Sequence, residues 1–326
     1  MATQRAPSPR FRRSDNPPNL QLTDDDDQIL LHAYRHRITS SDLICRLFSH
    51  RSRQKILRRL QALWQAEYLD RPLNQMERIH ARNGSSPLKY AIGRHGAHRV
   101  RERFGIETDA SRWRQKNHEL RARNIQHALS TTRFLVDTEL STRAREHKAF
   151  LHTDEVLQRY AAKRIPQPGA RLAMRAKVDW HGYRGEEATA PDWLYALEDT
   201  AKQEIKIFML EIDEGTETVE PGEKLVRSRS FFHSSSLLRK FVVYASAFKT
   251  RSHQHQYGLP AFHVLTVTTH PDRMKLMQAT YEKHLSRPPH GVDPRLFLFT
   301  DWETWQSQEG SERIAYNAVG RPLVLV

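Results

Sequence analysis

The sequence predicts a mixed α/β protein of the α+β kind, in which a helical, basic N-terminal domain precedes a domain with a central mixed sheet flanked by helices. Two patterns predict this order. Before about residue 150, apolar residues recur at helical spacing, as in Ile56, Leu57, Leu60, Leu63 and Trp64. After it, short apolar runs such as "IKIFMLEID" and "FHVLTVTT" alternate with helix-spaced segments. A third observation bears on partners. The 326 residues carry a formal net charge of +14, and clustered Lys and Arg neutralise phosphates and release their counterions, so a polyanion, nucleic acid first, is expected.

Composition excludes several classes. Cys45 is the single cysteine, which rules out an intrachain disulfide and a cysteine-based zinc site and fits a reducing, cytoplasmic setting. No stretch approaches the roughly 20 apolar residues of a membrane span, and the N-terminus has no apolar core of a secretory signal. Residues 1–21, rich in Pro, Arg and Ser without periodicity, are expected to be a disordered basic arm.

Residues 22–108 read as one domain. In "LTDDDDQILLHAYRH", Thr23 is the expected N-cap of a first helix, with Asp26 three positions on and Asp24 to Asp27 in the first turn, where the helix dipole favours anions. A metal site is the weaker reading, because consecutive carboxylates point around a helix rather than at one point. "SSDLICRLF" predicts a second helix and "SRQKILRRLQALWQAEYL" a third, whose apolar stripe leaves Arg51, Arg53, Lys55, Arg58 and Arg59 on a cationic face. "YLDRPL" and "PLKYAIG" then read as strands around a polar turn at Asn83 to Ser86, and "RHGAHRVRERFG" returns to helix. Three helices followed by a hairpin is the order of a winged helix-turn-helix, in which the third helix enters the major groove of duplex DNA. Arg51, Arg53, Lys55, Arg58 and Arg59 are therefore the DNA-contact candidates. An ordinary solvated basic helix is the bland alternative. Winged helices often read paired half-sites, so a homodimer is compatible with this reading, although no residue specifies one.

Residues 109–150 form an expected helical linker, with Ile125, Leu129, Phe134, Leu135 and Leu140 at near-helical spacing and His127 beside them as a packing histidine. In residues 151–326, "RLAMRAKVDW", "APDWLYAL", "IKIFMLEID", "FHVLTVTT" and "RLFLFTD" are expected strands. "SSSLLRKFVVYASAFK" and "DRMKLMQATYEKHL" are expected helices, and "RSHQHQYG", with His253 and His255, an exposed loop. Pro271-Asp272 is expected to cap the second of those helices.

The strand at 205–213 ends in Glu211 and Asp213. Side chains two apart share a face, roughly 6.6 Å apart along the strand, and burying bare carboxylates is costly unless they hold a divalent cation, which prefers oxygen ligands. Asp192, after Pro191 at a break between strands, supplies a third acid. Lys240 and Tyr244, one turn apart on the following helix, can face these acids. The alternative is a structural salt bridge from Arg239 or Lys240.

An Asp followed by a strand-borne Glu resembles the metal-dependent nucleases of the PD-(D/E)xK type. That likeness implies a restriction-endonuclease-like domain in which Asp192, Glu211 and Asp213 bind Mg²⁺ or Mn²⁺, and Asp192, Glu211, Asp213, Lys240 and Tyr244 form a catalytic set. Asp213 stands where that pattern has lysine, with Lys240 as its relocated counterpart. The basic N-terminal domain, "YAIGRHG", "IQHALSTTRFLVDTEL", "PDWLYAL", "FMLEIDEGTE" and "LLRKFVVYASAF" together resemble the replication-relaxation family of plasmids and other mobile elements, with His127, Asp192, Glu211, Asp213, Gly215, Thr216, Glu217, Lys240 and Tyr244 at family-like positions. The resemblance implies a DNA-binding protein acting in replication, relaxation or mobilisation. Double-stranded DNA is its expected partner, replication or mobilisation proteins are further candidates, and Mg²⁺-dependent cleavage is a candidate activity. The runner-up readings are a noncatalytic DNA-binding accessory protein or transcriptional regulator with a degenerate nuclease-like domain, and a scaffold of a replication or transfer complex.

Overall fold

The computed structural model describes residues 11–17, 19–75, 86–106, 117, 119–160, 172–308 and 312–326. The chain forms two compact units, residues 1–136 and 137–326.

In the first unit, α1 (Asp24–His36) starts as its sequence predicts: the Thr23 side chain accepts from the Asp26 N–H, and the Asp26 carboxylate accepts from the Thr23 N–H at 2.7 Å. Three of the four aspartates then fan out to separate arginines, as consecutive helical positions require. Asp25 meets Arg51 at 2.7 Å, buried Asp26 meets Arg59, and buried Asp27 takes Arg99 at 2.7 and 2.8 Å. Such charge-assisted pairs are strong and directional, so the acidic turn ties α1 to α3 (Arg53–Gln65) and α4 (Arg94–Phe104). Between them lies α2 (Ser41–Leu47).

β1 (Thr39–Ser40), β2 (Leu69–Asp70) and β3 (Lys89–Ile92) form an antiparallel sheet with β3 central. Residues 76–85, including most of the expected turn, lie outside the described residues. Arg71 is buried with its guanidinium 3.9 Å from the Trp64 ring centroid and 5.1 Å from that of Tyr90, and it donates to Gln61 at 2.6 Å. This cation–π stack fixes the strands to α3. Gly96 lets α4 approach the Tyr68 backbone, since a Cβ there would stand 2.1 Å from the Tyr68 carbonyl oxygen.

Within the segment expected as a disordered arm, Arg13 donates to the Trp64 carbonyl at 2.9 Å and pairs with Asp70 at 3.2 Å. Its fork of donors meets backbone acceptors at the end of α3, an interaction that composition does not reveal. Residues 1–10 and 18 lie outside the described residues.

The division between units falls inside α5 (Ala122–Arg143). Its first part carries Ile125 into a cluster with Ile38, Ala91 and Leu120, and Thr132 donates to the Ile38 carbonyl at 2.7 Å.

The second unit is built on a seven-stranded mixed sheet of order β12-β11-β10-β9-β8-β7-β4. Its strands are β4 (Lys148–Leu151), β7 (Trp193–Asp199), β8 (Glu204–Ile212), β9 (His263–Thr268), β10 (Phe297–Asp301), β11 (Ile314–Asn317) and β12 (Pro322–Val324). β8–β9 and β9–β10 are parallel and the other neighbours antiparallel. β5 (Met174–Trp180) and β6 (Tyr183–Thr189) form a separate hairpin. β4 begins inside the segment expected as a linker, and β6, β11 and β12 were not expected. β6 is rich in polar residues, as a hairpin strand with one solvated face is, and β11 and β12 are only four and three residues long.

α6 (Thr153–Tyr160) packs on β7. The parallel connections run through α7 (Leu237–Lys249) and α9 (Pro271–His284), which pack together over one core holding Ile207, Met209, Phe241, Tyr281 and Phe297. On the other face of β8, Phe208 stacks on Tyr195 at 5.0 Å. Both faces of β8 are therefore buried, which explains its nearly continuous apolar run. Two local expectations are corrected. "RSHQHQYG" contains a short helix, α8 (Ser252–Tyr257), whose His253 is buried against Phe248 because the ring stack covers it. The cap of α9 is the His270 side chain, accepting from the Asp272 N–H, with Pro271 in the first turn.

Candidate functional site

The end of β8 gathers the acids that the sequence singled out. Asp192 lies beside it: its N–H donates to the Leu210 carbonyl at 2.9 Å, and its Oδ2 accepts the Ile212 N–H at 2.8 Å. Asp192 thus extends the β7–β8 pairing by one step. Past Ile212, the Asp213 Oδ1 accepts the Gly215 N–H at 3.2 Å, and Gly215 adopts φ +77°, a left-handed conformation that glycine takes without strain. The turned chain then bridges Thr218 to Ser236, which caps α7 by accepting the Arg239 N–H. This path brings Glu217 alongside the first turn of α7.

Lys240 and Tyr244, four apart, present one face of α7 to Glu211. The Lys240 Nζ lies 3.0 Å from Glu211 Oε2 and 2.9 Å from Glu217 Oε2. The Tyr244 hydroxyl donates to Glu211 Oε1 at 2.6 Å. Glu211 is 2% exposed. Burial pushes its carboxyl up to about 7, the neighbouring Lys240 charge opposes that rise and the Asp192 charge adds to it. Burial acts to lower the Lys240 ammonium, but Glu211 and Glu217 outweigh it and hold it above its ordinary value. The Tyr244 phenol is raised well above its usual range by burial, then by Glu211. Chemically, Glu211 is a carboxyl that changes protonation near neutrality between an ammonium and a phenol.

Asp213 stands apart from this set. Arg273 of α9 grips it with two donors at 2.5 and 2.8 Å, Thr268 donates to it at 2.7 Å, and Arg273 also reaches the Glu217 carbonyl. Of the salt-bridge partners weighed from sequence, Lys240 pairs with Glu211, whereas Arg239 turns to the Ala188 and Phe232 carbonyls and Glu187. Sequence spacing shows neither Arg273 nor Thr268, because a charge on a distant helix and a hydroxyl at the end of β9 reach Asp213 only through the fold. Glu217 was visible only as a family-like position.

The three expected metal ligands are engaged by donors of the protein itself. Both Glu211 oxygens accept from Lys240 and Tyr244, both Asp213 oxygens accept from Arg273, and one Asp192 oxygen accepts a backbone N–H. Among the described residues, no group of three His, Cys, Asp or Glu side chains is arranged to share an ion.

The five DNA candidates fall into two sets. Arg51, just before α3, pairs with Asp25, and Arg59 with Asp26 and the Gln21 carbonyl. Arg53 is exposed and pairs with Asp42 at 2.6 Å, while Lys55 and Arg58 point to solvent. His127 is half-buried on α5 in the first unit, and not in the Glu211 cluster.

A family model described as Replication-relaxation matches residues 30–261. That span takes in most of the first unit, Asp192, β8 and α7. No curated protein matches the chain, and no solved structure does. No helix among the described residues is long and apolar enough to cross a membrane.

Proposed function

The chain belongs to the replication-relaxation family, and on that premise we propose that it binds double-stranded DNA during replication, relaxation or mobilisation of a plasmid or other mobile element. In this reading the first unit acts as a winged helix and α3 is the element that meets DNA. One observation carries it: α3 buries Ile56, Leu60, Leu63 and Trp64 and turns Arg53, Lys55 and Arg58 outward in its first turns. Cationic residues at the start of such a helix meet phosphates or base edges. The Glu211 cluster then serves as an internal polar tie between β8 and α7, and the protein acts as a noncatalytic partner of a replication or mobilisation complex.

The competing reading is Mg²⁺- or Mn²⁺-dependent cleavage by Asp192, Glu211 and Asp213. The convergence of the three acids at one strand end favours it, and the engagement of their oxygens by protein donors speaks against it. Incubating the purified protein with supercoiled and linear DNA, with either metal, tests the choice. Bound but intact DNA supports the accessory reading. Nicking or cutting that disappears in Asp192→Ala and Glu211→Ala overturns it.

A further inference from the structure

The cluster at the end of β8 has the composition of a cation site and a cation already in it. Glu211 and Glu217 meet the Lys240 ammonium, Asp213 meets the Arg273 guanidinium, and the Asp192 charge lies near enough to Glu211 to raise its carboxyl. Lys240 reaches in from α7 and places one ammonium between two acids that come from different segments. Its side chain is 24% exposed and Glu211 is 2% exposed. The spacings of 3.0 and 2.9 Å are those of N–H···O hydrogen bonds. They exceed the roughly 2.0–2.1 Å at which Mg²⁺ holds oxygen.

We infer that the Lys240 ammonium occupies the place of a divalent cation between Glu211 and Glu217, so that the folded protein keeps Mg²⁺ and Mn²⁺ out of this cluster, and that removing Lys240 turns the cluster into a cation site. Tyr244 supports the arrangement by holding the second Glu211 oxygen at 2.6 Å, which aims the first at Lys240. Arg273 engages both Asp213 oxygens, and its reach to the Glu217 carbonyl fixes the chain that carries Glu217. An incoming Mg²⁺ would have to shed water, which it does reluctantly, and also displace an ammonium making charge-assisted bonds to both acids. Deleting that ammonium leaves two acids facing one another with no cation between them, and a dication with oxygen preference is the natural replacement. The inference is independent of DNA binding by the first unit, and neither measurement below reads DNA affinity.

Mn²⁺ titrations of the full chain, followed by loss of the free-ion electron paramagnetic resonance signal and by the melting temperature, test it. Wild-type protein should show no saturable Mn²⁺ site that depends on Glu211. Lys240→Ala should gain one saturable site and a melting temperature that Mn²⁺ raises, and adding Glu211→Gln should remove both. Lys240→Met, which keeps most of the aliphatic stem, gives the same reading should the alanine variant fail to fold. A wild-type Mn²⁺ site that Glu211→Gln abolishes overturns the inference, as does a folded Lys240→Met protein that binds no Mn²⁺.

Discussion

Tyr244 donates its hydroxyl to Glu211 Oε1 at 2.6 Å, joining the middle of α7 to the end of β8 at a point where neither residue meets water. A buried carboxyl has to be satisfied from within the protein, and this bond supplies one of its two oxygens. Tyr244→Phe keeps the ring in its core position and deletes only the donor. It should lower unfolding free energy by about 1–3 kcal/mol, the cost of leaving a buried polar group unsatisfied. Urea denaturation of the full chain checks this, and a change below about 0.5 kcal/mol would show that the bond is unimportant.

The raised carboxyl of Glu211 fixes a sign for the pH dependence of stability. Its ordinary value of 4.5 applies to the unfolded chain, and its value in the fold is about 7. Between these the folded state binds more protons, so the stabilisation from this group is complete below about pH 4.5 and is lost as pH rises to about 7. At about 1.4 kcal/mol per unit the shift corresponds to roughly 3 kcal/mol. Glu211→Gln removes the titrating group. The stability difference between wild type and this variant should therefore move against wild type from pH 4.5 to 7. A difference that stays constant across that window would remove the assignment.

Gly96 gives a prediction free of charge effects. A methyl group there meets the Tyr68 carbonyl oxygen at 2.1 Å and the Ile92 side chain at 2.7 Å. The first neighbour is backbone and cannot yield without moving β2. Gly96→Ala should cost at least about 2 kcal/mol, even though alanine is the better helix former. Thermal melting of the variant checks it.

How far the site was legible depends on which interactions are local. Thr23 and Asp26 lie three apart, and their capping box could be read from sequence because both bonds close within one helical turn. Lys240 and Tyr244 were placed on one face by the same period, and β8 was visible in its apolar run. Arg273 lies 60 residues from Asp213 and meets it only because α9 packs over the same face of the sheet. Arg71 hides in a core that composition would fill with apolar residues, its charge satisfied by Trp64, Tyr90 and Gln61. The short strands β11 and β12 are too brief, at four and three residues, for any alternation to be seen. Long-range pairing therefore decided what periodicity could not.

The basic residues of the first unit divide into those that hold the fold and those available to a polyanion, and the division yields the last prediction. Arg59 is bonded to Asp26, whose carboxylate is fully buried, so Arg59→Ala strands a charge in the core and should destabilise the unit by about 2 kcal/mol or more. Lys55 and Arg58 are exposed, so replacing them should leave the melting temperature within a degree or two while weakening DNA binding. Each phosphate that is no longer neutralised should reduce the slope of log affinity against log salt by about 0.9. Binding of fluorescent duplex DNA from about 50 to 200 mM salt therefore separates the roles: Lys55→Ala/Arg58→Ala should bind more weakly at every salt concentration with a slope smaller by up to about 2. An unchanged slope in this folded double variant would show that α3 does not face phosphates. A weakening that occurs only in Arg59→Ala would then trace to unfolding of the unit.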